Sequence, residues 1–171
     1  MRVINHIRMS LLAAWLGIAL FFSAVVAPSA FGVLRSFGLA NANEIAGTIV
    51  SRGLTAVNKS GLLLGLLLLL TAPLVRKSYG RTSFLLQNVM VIIIASLAAT
   101  GEWVIAARMR GLRAAMNGHI DQVPLDDPNH LAFAALHGYS VAALGVAMIA
   151  ALIVILLLVV SRERVVANST E

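Results

Sequence analysis

The chain has 171 residues, of which 60% are hydrophobic and 12% are charged, whereas a soluble domain is about half apolar and about a quarter charged. An ordinary water-soluble globule is excluded, because the apolar excess lies in long uncharged runs that a core of this size cannot bury. The net charge of +6 does not predict nucleic-acid binding, since the basic residues flank apolar segments. We therefore expect a multi-pass membrane protein whose partner is the lipid bilayer.

The first predicted span covers residues 9–33 and contains no charged residue. It exceeds the about 20 apolar residues that a helix needs to cross a bilayer. It is also longer than the apolar core of a signal peptide, which is about 7 to 15 residues, so we expect the segment to be retained. Pro28 is expected to kink or fray the last turns of this helix.

The segment 41–57 has apolar residues at helical spacing on one side and polar residues on the other. Asn41, three residues before Glu44, resembles a capping box. This pattern predicts an amphipathic helix that lies along the membrane surface. Gly47 and Gly53 weaken a helix interior, so an ordinary loop stays open as an alternative.

The second and third predicted spans are bounded by basic and aromatic residues. The second, residues 58–75, is short, because only 16 residues separate Lys59 from Arg76, and these side chains would have to snorkel toward the head groups. The third covers residues 82–107, and we interpret Trp103 near its end as an interfacial anchor.

The fourth predicted span covers residues 131–160, preceded by Asp127 as a helix N-cap and Pro128 at the first helical position. The predicted fold is therefore all-α: one membrane domain over residues 1–171, built as a four-helix bundle with an amphipathic interfacial helix between the first and second spans.

The loop between the second and third spans suggests the orientation. An even number of spans places both termini on one side of the membrane together with this loop. Arg76, Lys77 and Arg81 crowd the loop, and short basic loops favour the cytoplasmic side. We expect both termini to be cytoplasmic.

Small residues at a spacing of four predict where the helices approach one another, because close packing in lipid needs small side chains. The step from Gly61 to Gly65 either packs within one bundle, which we favour, or joins two copies of the chain. The candidate packing residues are Ala13, Gly17, Gly61, Gly65, Ala143 and Ala147.

Ionisable residues near the membrane gather at one end of the predicted bundle. Such groups are costly at this depth and usually face protein or a wet cavity. We predict a polar pocket there, roofed by the interfacial helix, in which Glu102 and His137 are charge partners or ligand contacts. The alternative is that these residues are head-group anchors and helix caps. The candidates are Pro28, Arg52, Glu102, Arg108, Arg113, His137 and Ser140.

Cofactor, metal and catalytic motifs are not expected. His130 and His137 are two turns apart on one helix, about 10 Å by helical rise, so they cannot both be axial ligands of one haem. No cysteine is present, and the pattern holds no nucleophile or paired acid and base. We interpret the acidic residues before the fourth span as a solvated loop and helix start, with a cation site as the alternative: Asp121, Asp126 and Asp127.

Two elements of the sequence resemble the transmembrane protein 205-like domain family. The first-span element is Trp15-Leu16-Gly17, Phe21-Phe22 and Val26-Ala27-Pro28. The second is Leu136-His137-Gly138-Tyr139-Ser140, which fits the family's L-H-G-x-S pattern. The resemblance extends over residues 9–155 and implies a four-helix integral membrane protein of unestablished activity.

The combined expectation is a small non-enzymatic membrane protein, a structural or accessory unit with a polar pocket or partner surface at one membrane face. A protein partner or a homo-oligomer fits this hypothesis. The alternative hypothesis is an oligomeric protein that handles a small solute or a metal ion. Bound metal or colour would favour the alternative, whereas copurification of a large complex would favour the first.

Overall fold

The structure, a computed structural model, describes residues 2–116 and 120–167. These residues form helices and short connections, without a β-strand in the part described. The α-helices are α1 (Arg2–Phe21), α2 (Ala27–Ser36), α3 (Ala42–Leu70), α4 (Ala72–Val75), α5 (Arg81–Ala99), α6 (Ala106–Ala115) and α7 (Pro128–Ala167).

Wider π-helical turns join α1 to α2 and α5 to α6, which makes each pair one long helix. In the described part of the chain, four helices are then long and apolar enough to cross a membrane: Val3–Ser36, Ala42–Leu70, Arg81–Ala115 and Pro128–Val160. The predicted all-α architecture with four spans is confirmed. The third is 35 residues long, about 52 Å at 1.5 Å per residue, so its end extends beyond a hydrocarbon core of about 30 Å.

Of the two effects expected of Pro28, a kink or fraying, the structure rules out fraying, because the first long helix continues to Ser36. A π turn, Phe22–Val26, precedes it, and the backbone N–H of Ala27 bonds to the carbonyl of Phe22. Pro28 therefore sits in the first turn of α2, where a missing N–H is tolerated. The wide turn absorbs the change in hydrogen-bond register, and the helix continues to Ser36.

The structure corrects the prediction of a separate interfacial helix. Residues 41–57 are helical, but they continue without a break into the second span as part of α3, so they are not a separate helix on the membrane surface. Gly53 lies inside α3 and does not interrupt it. Its lack of a side chain lets the Phe22 ring approach α3 closely, since a Cβ at this position would lie 2.5 Å from the ring. The chain reverses instead at Gly38, whose φ of 64° suits glycine.

The core is centred on the inward face of α1 and the middle of the other long helices. Helix α5 packs against both α3 and α7, and α1 packs against α7 and α3. The indole N–H of Trp15 donates to the carbonyl of Val57 at 3.1 Å, inside the bundle. The largest fully buried side chains are Leu12, Val75, Val91, Ile94 and Val154.

The predicted packing residues divide into two groups. Gly61 lies against Trp15, and a Cβ on Gly65 would be 2.8 Å from the Cβ of Ala95, so this step packs within the bundle. On α7, Ala147 is buried and Ala143 half-buried.

Ala13 and Gly17 are exposed instead of packed. The inward face of α1 follows a different register, with Leu12, Trp15 and Ala19 buried. The bulk of the Trp15 side chain, rather than small residues, fills the contact with α3 at Gly61.

Replacing Gly65 with valine should destabilise the bundle by about 1 to 3 kcal/mol, as overpacking of a tight core does. The same change at Gly17 is the matched control, because a Cβ there has no neighbour within 4 Å. The measurement is the thermal unfolding midpoint of each variant in one detergent. An equal loss in both variants would contradict the packing described.

Candidate functional site

A cavity of about 1140 Å³ opens at one end of the bundle. It lies where α2 ends, α3 and α7 begin, and residues 120–125 cross between them. We call this cavity the mouth. Its wall includes the apolar side chains of Phe31 and Phe133 together with polar and charged groups. The lining of the mouth includes Pro28, Phe31, Arg35, Arg113, Phe133 and His137.

The loop before α7 caps the start of α3. The Asp121 carboxylate accepts hydrogen bonds from the backbone N–H groups of Asn43, at 3.3 Å, and Glu44, at 3.0 Å, and from the Asn43 side chain. In return Glu44 accepts from the backbone N–H of Ile120 at 3.3 Å. Asp121 thereby satisfies N–H groups that the first turn of a helix leaves unpaired.

Two sequence interpretations change as a result. The side chain of Asn41 makes no capping hydrogen bond, so the predicted capping box does not form. The interpretation of Asp121 as part of a solvated loop is also wrong, because a residue 78 positions away from Asn43 supplies the cap. The predicted cap at Asp127 is confirmed, as its carboxylate accepts from the N–H groups of Asn129 and His130 at 2.8 and 3.2 Å.

Arg113 joins α6 to α3 and α7. Its guanidinium lies 3.4 Å from the Glu44 carboxylate and 3.4 Å from the Thr48 hydroxyl, and 5.4 Å from the centre of the Phe133 ring. A Cβ on Gly47 would lie 2.8 Å from this guanidinium. The glycine therefore allows α3 and the arginine to approach, and Arg113 forms part of the wall of the mouth.

A second cavity, of about 80 Å³, lies beneath the mouth. We call it the inner chamber. Its lining includes Thr55, Glu102, Met109, Arg110, His137 and Ser140. It shares Val50, Arg113, Phe133 and His137 with the mouth. These four residues form the boundary between the two cavities, so a molecule in the mouth is next to the chamber.

Glu102 is the most deeply buried acidic group of the site. Only 6% of the residue is exposed, and its Oε2 atom has no hydrogen-bond partner among residues 2–116 and 120–167. It lies in the π turn Thr100–Ile105. The preceding residue, Gly101, leaves room for the Asn58 amide, because a Cβ at position 101 would lie 2.9 Å from the amide nitrogen. A wider turn at a functional position is a known use of π-helical segments.

The depth of Glu102 follows from its place on the third long helix. It is 21 residues after Arg81 (102 − 81), about 32 Å along the axis at 1.5 Å per residue. That distance is close to the thickness of the hydrocarbon core, which puts the carboxyl group near the far boundary of the membrane. The neighbouring Trp103 is exposed, as an interfacial anchor would be.

The structure brings together most of the predicted pocket residues. Glu102, Arg113, His137 and Ser140 line the inner chamber, and Pro28 lines the mouth. Arg52 and Arg108 are exposed and line neither cavity, because each lies on the outward side of its helix. The structure therefore removes Arg52 and Arg108 from the predicted set of pocket residues.

The sequence places Ser51 and Thr55 on the polar side of the predicted helix, but it did not indicate that this side reaches the chamber or that Asn58 continues it. Ser51 and Thr55 line the inner chamber, and Asn58 is buried beside Trp15 and Ser140 at its lower end. The three residues are spaced by four and three positions, which places them on one side of a helix with Gly61 and Gly65. That periodicity was the available signal.

The opposite end of the bundle has a separate polar contact. Arg8 is buried, and its guanidinium donates to the Leu68 carbonyl at 2.7 Å and to the Thr71 hydroxyl. A cation at the end of α3 suits the negative end of the helix dipole. In the adjoining loop, burial raises the pKa of the Tyr79 hydroxyl, while the charge of Arg8 acts in the opposite direction.

Residues 10–118 match the family model of a domain of unknown function, DUF4149. The match covers more than half of the chain. It begins within the first long helix, includes the second and third, and ends before α7. Neither a curated protein nor a solved structure matches the chain.

Replacing Asp121 with alanine should destabilise the protein by about 1 kcal/mol, the usual effect of losing a helix N-cap. Asp126→Ala is the matched control, because Asp126 is an exposed acidic residue of the same loop. Amide hydrogen exchange of the first turn of α3 should accelerate in the first variant alone. Equal protection of this turn in both variants would argue against the cap.

Proposed function

The chain belongs to the DUF4149 family, domains of unknown function, and we propose that it is an accessory membrane protein that holds a small molecule in its mouth. In this proposal the protein catalyses no reaction. Its ligand has an apolar body and a polar head, and it reaches the mouth from one face of the membrane.

The observation that carries the proposal is the size and composition of the mouth. Its volume of about 1140 Å³ lies slightly above the range of about 300 to 1,000 Å³ for small-molecule sites, so it is large enough for such a ligand. Apolar and aromatic walls with a few convergent polar groups are typical of such sites. Phe31 and Phe133 supply the aromatic surface, and Asn43 and His130 supply polar groups.

The contacts that frame the mouth support a preformed cavity. Asp121 and Glu44 tie the loop to α3, and Arg113 ties α6 to both neighbours. Arg35 donates to the Asn43 side chain at 2.8 Å and lies 5.6 Å from the centre of the Phe31 ring. Side chains held in this way leave less conformational entropy to be lost on binding.

The resemblance to the transmembrane protein 205-like family supports the same end of the molecule. Its first-span element, which includes Pro28, lies within the residues that match DUF4149, and its L-H-G-x-S element lies beyond them. His137 and Ser140 of that second element line the inner chamber. We keep membership of this narrower family as part of the proposal.

A bulky side chain placed in the mouth should weaken ligand binding without unfolding the bundle. Ala134 is an exposed residue that lines the mouth, so Ala134→Trp should displace a small molecule that copurifies with the wild-type protein in mild detergent. The measurement is mass spectrometry of extracts from equal amounts of purified protein.

The matched control is Ala135→Trp, at a neighbouring exposed alanine of α7 that does not line the mouth. It should retain the small molecule. Loss in both variants, or a protein subunit and no small molecule in the wild-type sample, would contradict the proposal. The second outcome would favour a partner surface.

We also propose that both termini and the loop of residues 76–81 are cytoplasmic, so that the mouth faces the other side. The chain has no cysteine, and single-cysteine variants therefore report position without background. Lys77→Cys should resist a membrane-impermeant maleimide in intact cells, whereas Leu125→Cys, at the exposed rim of the mouth, should be labelled. The reverse pattern would invert the orientation.

A further inference from the structure

The inner chamber contains a buried carboxyl group for which the described chain supplies no counter-charge. Among the side chains that the structure describes, the one salt bridge joins Arg113 to Glu44, and no cationic nitrogen lies within 4.0 Å of the Glu102 carboxylate. The Oε2 atom also lacks a hydrogen-bond partner there. Burying an unpaired acceptor or charge is costly, and structures of this kind usually supply a partner.

The cations around the chamber do not serve as that partner. Arg113 lines the chamber, and its guanidinium contacts Glu44, Thr48 and Phe133. Its buried Nε atom has no hydrogen-bond partner among the described side chains, and it forms no salt bridge with Glu102. Arg110 also lines the chamber and is exposed to solvent. His137 stands at the boundary with the mouth.

We propose that the inner chamber binds the ammonium group of an organic amine, whose apolar body lies in the mouth. This inference rests on the proposed function, since it names the chemical class of the ligand. A protonated primary amine offers three hydrogen-bond donors and one positive charge. The chamber offers the Glu102 carboxylate and the hydroxyl groups of Thr55 and Ser140 among its lining residues.

The dimensions of the two cavities suit such a ligand. A water molecule takes up about 30 Å³ in the liquid, so a chamber of about 80 Å³ holds an ammonium group and one or two carbon atoms. The rest of the molecule has to lie in the mouth, which shares four lining residues with the chamber. Phe133 is one of these and offers an aromatic surface beside the path.

A bare metal ion fits the chamber less well than an amine. Calcium takes six to eight oxygen ligands and magnesium retains several waters. No group of three or more His, Cys, Asp or Glu side chains that could hold a metal ion occurs in the part of the chain that the structure describes. One carboxylate with two hydroxyls matches the three donors of an ammonium group better.

The test compares benzylamine with benzyl alcohol, which have the same ring but differ in charge at pH 7. Isothermal titration calorimetry with the purified full-length protein in detergent should give at least about tenfold tighter binding of the amine, since a hydrogen bond to a charged group contributes about this factor. In Glu102→Gln the preference should fall below about twofold, while benzyl alcohol still binds.

The control variant is Asp126→Asn, which removes one negative charge from an exposed position that lines neither cavity. It should keep the preference for the amine. Thr55→Val is a second variant of similar shape that removes one acceptor and keeps Glu102. It should weaken benzylamine about threefold or more with little change for benzyl alcohol, and it keeps the test decisive if Glu102→Gln does not fold.

The outcomes separate this inference from the proposed function. Equal binding of the two probes to the wild-type protein, with loss of both in Ala134→Trp, would overturn the amine site and leave the mouth as a ligand site. Saturable heat from sodium or potassium chloride alone that disappears in Glu102→Gln would replace the amine with a metal cation. Binding of neither probe would overturn the amine site, and the copurification experiment would then decide the proposed function by itself.

Discussion

The bilayer requires every backbone polar group inside it to find a partner within the protein, and the rest of this structure follows from that constraint. Only helices satisfy it locally, so the apolar segments form long helices that run past the hydrocarbon core. Their ends extend into the interface, where polar side chains are tolerated. The mouth and the inner chamber lie at such an end, between helices that the membrane has already aligned.

Two departures from regular helix geometry serve this end of the bundle. The π turn before Pro28 lets the first long helix continue beyond a residue that would otherwise interrupt its hydrogen bonds. The continued part, α2, forms one wall of the mouth. The π turn that contains Glu102 belongs to the third long helix beside the chamber. In both places the helix continues beyond the wider turn, and that turn changes which side chains face inward.

The polar contacts of the site differ in how far apart their partners lie in the sequence. Asp127 caps its own helix within three residues, a local pattern that a sequence displays directly. Asp121 caps a helix that began 79 positions earlier, at Ala42 (121 − 42), and Arg113 pairs with a residue 69 positions away (113 − 44). The long-range contacts frame the mouth, and helix packing, rather than any local pattern, creates them.

The sequence alone determined the membrane location, the helical class, the four spans and the end at which titratable residues gather, because hydrophobicity and helical period are local properties. It did not determine that α3 is continuous, that Trp15 rather than Gly17 faces the core, or that Arg52 and Arg108 face outward. The continuity of α3 is a property of one helix, whereas the other two features depend on the rotation of one helix against another. Only the tertiary structure decided them, since packing at Gly61 and Gly65 and the turns at Pro28 and Glu102 set that rotation.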